Sequence, residues 1–165
     1  MGVDQPVAHR QRQTLYTPAE RARRDATVWT LVQGILAPLQ FLAFAISLCL
    51  VINFLMNGVG FTAATVSVVI KTSLLYAIMV TGAIWEKVVF GRYLFAPAFF
   101  WEDVVSMGVI VLHSAVLIAM FWPLSVQAQL YLTLVAYAAY VVNAAQFLWK
   151  FRLARQGGAG RGSHE

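Results

Sequence analysis

Away from its two ends, this chain of 165 residues carries seven ionisable side chains: Lys71, Glu86, Lys87, Arg92, Glu102, Asp103 and His113. Five of them fall between positions 86 and 103. Three carboxyl groups and two cations in so short a stretch suggest general acid/base chemistry. Crowding and desolvation keep a proton on one acid while its neighbour stays ionised. Glu102, Ser106 and His113 follow at spacings of four and seven, placing an acid, a hydroxyl and an imidazole on one helical face. Because neighbouring helical residues diverge by about 100°, Glu102 and Asp103 make a poor facing dyad. Glu86 opposite Glu102 is the expected geometric pair. Candidate catalytic residues are therefore Glu86, Glu102, Asp103 and His113.

Lys71 and His113 lie deeper in apolar sequence, each ~13 Å along its helix from an uncharged connection at 1.5 Å per residue. They can face one another. The plainer expectation is that Lys71 snorkels to the nearer surface and that His113 hydrogen-bonds between helices. Other polar residues recur at helical spacing: Gln33 and Gln40, then Tyr140, Asn143 and Gln146. Lys71, Gly82 and Glu86 also share a side. Each long segment thus presents a polar stripe, and four stripes meeting in a bundle predict an internal cavity. Interhelical hydrogen bonding would explain the amides equally well, at about 1 kcal/mol each, but not adjacent carboxylates.

The elements that must position these groups follow from composition. The chain is 60% hydrophobic and 12% charged, with a mean hydropathy of +0.70. A soluble domain has roughly twice that charge. Four apolar segments, about 28–56, 62–89, 99–122 and 127–149, each exceed the roughly 20 residues that span a bilayer. The first is long enough to require tilt or a kink at Pro38. The fold class is all-α: a polytopic membrane protein with four transmembrane helices in a bundle. Nucleic-acid binding is excluded, because the net charge of +5 sits mostly in the two ends. The single cysteine, Cys49, permits no disulfide framework.

Residues 1–26 form a polar, basic head in which Thr17-Pro18-Ala19-Glu20 reads as the start of a short interfacial helix. Residues 27–150 form the four-helix domain, and 151–165 a basic, Gly-rich tail expected to be disordered. The head, the 86–103 connection and the tail carry the basic residues, whereas the connections near 57–61 and 122–127 have none. By the positive-inside rule both termini are cytoplasmic. Phe90, Tyr93, Phe95, Phe99, Phe100 and Trp101 crowd the same cytoplasmic connection. They form an interfacial aromatic belt or wall a slot for a flat, carboxylate-bearing ligand.

The run Val28–Phe41, the block Ile84–Met107 and the run Ala136–Phe147 resemble the 3-vinyl bacteriochlorophyllide hydratase family over roughly residues 20–155. The central block, with Trp85-Glu86-Lys87 and Phe99-Phe100-Trp101-Glu102-Asp103, is long and unusual in composition. The resemblance implies a hydro-lyase in the inner membrane of a phototrophic bacterium. It would add water across the 3-vinyl group of chlorophyllide a or 3-vinyl bacteriochlorophyllide, giving the 3-(1-hydroxyethyl) product. It implies no cofactor, since magnesium arrives with the substrate. Partners would be that pigment, the bilayer, and other enzymes of the pathway or a second copy of the chain. In this setting the carboxylates serve as acid and base. Lys87, Arg92, Tyr93, Trp101, Gln33, Asn143 and Gln146 are substrate-binding candidates, and His113 relays a proton or ligates the substrate magnesium. Two rival classes remain: a non-catalytic chlorophyll-binding or assembly subunit, and a proton-exchanging transporter. The latter favours a lone mid-membrane acid rather than acids clustered at one edge.

Overall fold

A computed structural model describes residues 15–159, with side chains described through Arg152. Arg10, Arg12 and the last residues of the Gly-rich tail lie outside the described residues. Among those described, the secondary structure is entirely helical. Helix α1 (Pro18–Ala26) is short, and α2 (Val28–Asn57), α3 (Phe61–Phe90), α4 (Phe100–Ala119) and α5 (Val126–Ala159) are long. Four helices are long and apolar enough to cross a membrane. At 1.5 Å per residue α2 and α3 are each ~45 Å long, so they overhang or tilt in a ~30 Å hydrocarbon layer.

The ends of these helices follow local chemistry. Thr17 and Glu20 form a reciprocal capping box at the start of α1, with Pro18 in the first turn. Gly58, at φ 71°, closes α2 in a left-handed conformation that a side chain would strain. Gly91, at φ 82°, does the same for α3. Pro38 lies within α2 without ending it. Ser125 Oγ accepts the Ala128 N–H at 3.2 Å and caps α5 after the turn at Pro123.

Two boundaries differ from the sequence expectation. Helix α4 ends at Ala119, and Phe121 and Trp122 stand exposed in the following turn. Helix α5 does not stop near position 149 but continues to Ala159, through part of the tail expected to be disordered. Phe151 explains the first extra turn: its ring lies 5.8 Å from Phe99 and 6.4 Å from Phe147.

Helix α2 packs chiefly on α3, and α4 on α5. Inside lipid the hydrophobic effect does not drive helices together, so packing and interhelical hydrogen bonds carry the association. Gln33 Nε2 donates to Thr81 Oγ1 at 2.7 Å, tying α2 to α3. Ser47 joins α2 to both α3 and α5, through Ser67 at 2.7 Å and Tyr137 at 2.6 Å. Tyr76 and Ser114 join α3 to α4 at 2.7 Å. Phe44, Val68, Leu75, Val109 and Val116 fill the middle of the bundle. Leu31, Ile35, Ile46 and Ile118 face outward, as a lipid-facing shell requires.

Candidate active site

The segment between α3 and α4 folds back onto the two helices it joins. Glu86 Oε2 accepts the Ala96 N–H at 3.2 Å, and Asp103 Oδ2 accepts the Phe95 N–H at 2.7 Å. Phe95 adopts a left-handed φ of 59°, unusual for a residue with a side chain, and the bond to Asp103 holds it there. Glu86 and Asp103 are both buried and line the same cavity from facing helices.

This corrects the expected pairing of Glu86 with Glu102. Of two adjacent residues diverging by about 100°, only one can face α3, and it is Asp103. Glu102 turns toward α5, where Lys150 Nζ donates to its Oε2 at 2.5 Å. The buried stripe of α4 therefore starts at Asp103 and continues through Ser106, Val109 and His113. Lys150 also lies 5.0 Å from the centre of the Phe99 ring. Sequence reasoning placed Lys150 among the tail charges. Its place, nearly seven helical turns into an apolar element, gave no sign of a partner on α4.

A half-open cavity of about 90 Å³ lies beside the carboxyl pair. Its lining includes Gly82, Trp85 and Glu86 from α3, Phe99 from the connection, Asp103 and Ser106 from α4, and Phe147 and Phe151 from α5. Behind it stands an aromatic cluster. Trp85, Phe90, Phe99 and Phe147 pack at centroid distances of 5.8–6.0 Å. Tyr16, just before α1, stacks on Phe90 at 5.8 Å and leans on Phe99 at 6.4 Å. Arg23 Nε reaches the Val89 carbonyl at 2.9 Å. The N-terminal segment thus roofs the cluster, a contact invisible in the sequence because Tyr16 precedes the cap in a stretch without periodicity.

The other predicted residues divide into three places. Asn143 is buried and joins the cavity residue Ser106 through its Nδ2 at 2.9 Å. Gln146 is half-buried, with a side-chain oxygen that has no donor among the described residues, and Gln33 is committed to Thr81. Arg92, Tyr93 and Trp101 are exposed at the mouth of the bundle, beside Lys87, whose ammonium bonds the Gly91 carbonyl and lies 5.3 Å from the Tyr93 ring.

His113 lies outside the cavity lining, ten residues and ~15 Å along α4 from Asp103. Lys71 does not snorkel: it is fully buried, its ammonium 2.5 Å from His113 Nε2 and over the Tyr140 ring at 4.1 Å. His113 Nδ1 faces the Val109 carbonyl at 2.8 Å. A carbonyl only accepts, so Nδ1 carries hydrogen and Nε2 receives the hydrogen from Lys71. Both ring nitrogens are engaged within the protein, leaving neither free for a substrate magnesium. Among the described residues, no three His, Cys, Asp or Glu side chains gather as a metal site.

Fold and site together define a multi-pass membrane protein with an acid pair set in an aromatic-walled cavity at one end of a four-helix bundle. The sequence model of the 2-vinyl bacteriochlorophyllide hydratase family matches residues 16–153. A protein of Rhodobacter capsulatus named 2-vinyl bacteriochlorophyllide hydratase is 68% identical over 144 residues, covering 87% of this chain and 84% of the relative. One of the same name from Cereibacter sphaeroides is 67% identical over 150 residues, covering 91% and 92%. No solved structure matches. The chain belongs to the 2-vinyl bacteriochlorophyllide hydratase family and is an enzyme of the hydro-lyase class. That family membership favours the hydratase expectation over the non-catalytic and transporter classes.

Proposed function

We propose that this enzyme adds water across the vinyl substituent of a chlorophyllide or bacteriochlorophyllide, with Glu86 and Asp103 as the acid/base pair. The vinyl position is numbered 2 in the relatives' names and 3 in the numbering used above. The observation that carries the reading is the buried carboxyl pair bordering a cavity. One carboxyl delivers its proton to the terminal carbon, breaking the π bond and leaving a cation on the inner carbon, conjugated with the macrocycle. The remaining carboxylate stabilises that charge in a site of low dielectric. Water forms the C–O bond at the inner carbon, and its displaced proton returns to the pair. The product is a 1-hydroxyethyl group, no electron is gained or lost overall, and the pair is reset. No cofactor is required.

A cavity of about 90 Å³ suits this division of labour, having room for a vinyl group and water but not for a macrocycle. The ring system would lie against the aromatic wall, its free propionate toward the exposed Lys87 and Arg92. The basic head and connection support a cytoplasmic location for this end of the bundle, in a bacterial inner membrane. The test is turnover of a vinyl chlorophyllide by membranes containing the full chain. Glu86→Gln and Asp103→Asn should each lower the rate on the order of 100-fold or more. Near-normal turnover by both variants would remove the carboxyl pair from the chemistry.

A further inference from the structure

Hydration of a vinyl group creates a stereocentre, and the side from which water arrives fixes its configuration. Ser106 supplies a place for that water. Ser106 lines the cavity one helical turn from Asp103, on the same face of α4, and is 1% exposed. Residues so related have Cβ atoms about 5–6 Å apart, a span that one water can bridge. Asn143 Nδ2 donates to Ser106 Oγ at 2.9 Å, occupying a lone pair of the hydroxyl. The only other partner of that hydroxyl among the described residues is Asn143 Oδ1, at 3.3 Å. That is longer than the usual 2.5–3.0 Å of an O–H···O bond, so a water in the cavity can compete with Asn143 Oδ1 for the hydroxyl hydrogen.

We propose that Ser106, held by Asn143, seats the attacking water beside Asp103 and thereby sets the configuration of the hydroxyethyl product. The inference rests on the carboxyl-pair reading above and adds the position of the nucleophile. Ser106 O–H donates to the water oxygen, and the water donates one hydrogen to Asp103. The second lone pair of the oxygen is left to attack. Glu86 belongs to the opposing helix α3, so proton delivery and water attack come from different walls of the cavity. Ser106 is a substrate-water residue in this scheme, and Asn143 a positioning residue.

The experiment separates the two epimers of the product by chiral chromatography, using membranes containing the full chain. The parent protein should give one epimer in large excess. Ser106→Ala should give product about tenfold more slowly, the worth of one neutral hydrogen bond, with the epimers approaching equal amounts. Asn143→Asp replaces the donor with an acceptor that captures the Ser106 hydrogen, and should scramble the product likewise. Ser106→Thr keeps the hydroxyl and should keep the parental ratio.

Product from Ser106→Ala at the parental ratio would overturn the water seat, whatever its rate. If Ser106→Ala yields no product, Ser106→Thr decides: restored turnover at the parental ratio supports the seat, and continued inactivity overturns it. Failure of the carboxyl reading looks different. In that case Glu86→Gln and Asp103→Asn retain turnover, regardless of the epimer ratio.

Discussion

At the scale of single residues, the contrast between Glu102 and Asp103 is the sharpest. Glu102 is tied to Lys150 at a partly buried edge, whereas Asp103 lines the cavity with Glu86. A partly exposed ion pair contributes no more than ~1 kcal/mol. Glu102→Gln should therefore keep turnover within about fivefold of the parent, while Asp103→Asn should not; both are read in the same membrane assay. The sequence showed that acids cluster here. Helical phase alone could not tell which neighbour points inward, because Lys150, which draws Glu102 away, lies 48 positions distant. Depth arithmetic set Lys71 and His113 level, but the plainer expectation of a snorkelling Lys71 missed their pairing. Removing either partner leaves the other buried and unpaired, at about 1–3 kcal/mol. Lys71→Met and His113→Leu should each lower the melting temperature of the detergent-solubilised protein, and the double variant should lose less than the sum.

At the scale of elements, α1 and its leading Tyr16 act as a latch on the aromatic cluster. The capping box made the helix readable in advance, but its docking partners are 66 or more residues away in sequence and left no local mark. Burial raises the Tyr16 phenol above its ordinary value of 10.0, with the nearby Arg24 partly opposing. An acid whose folded value is raised favours docking while it stays neutral. The latch should thus hold below pH ~10 and weaken as pH rises beyond that. Limited proteolysis of the head should accelerate over the same range. Tyr16→Ala should expose the head to protease at neutral pH as well. Helix α5 teaches the converse lesson. A Gly-rich composition suggested disorder, yet aromatic packing around Phe151 carries the helix past the last apolar run.

At the scale of the molecule, the four long helices were plain from hydropathy alone, because each must satisfy its backbone internally in lipid. Which faces meet was not, because lipid-facing and core-facing residues are both apolar, and only the polar bonds distinguish them. An even number of crossings returns the chain to the side on which it began. Reporter fusions at the two termini should therefore give the same compartment signal, and a probe in the turn at Asn57–Gly60 the opposite one.

The narrow cavity has a further consequence for selectivity. On the proposed reading, a recess of about 90 Å³ that admits a substituent and a water molecule, but not the ring that bears them, would inspect only one corner of a large pigment. Pigments that share that corner but differ in ring saturation elsewhere should be hydrated at similar rates. The enzyme would then act on a functional group rather than on a particular pigment, so the order of this hydration relative to remote ring reductions would be set by the enzymes that perform those reductions.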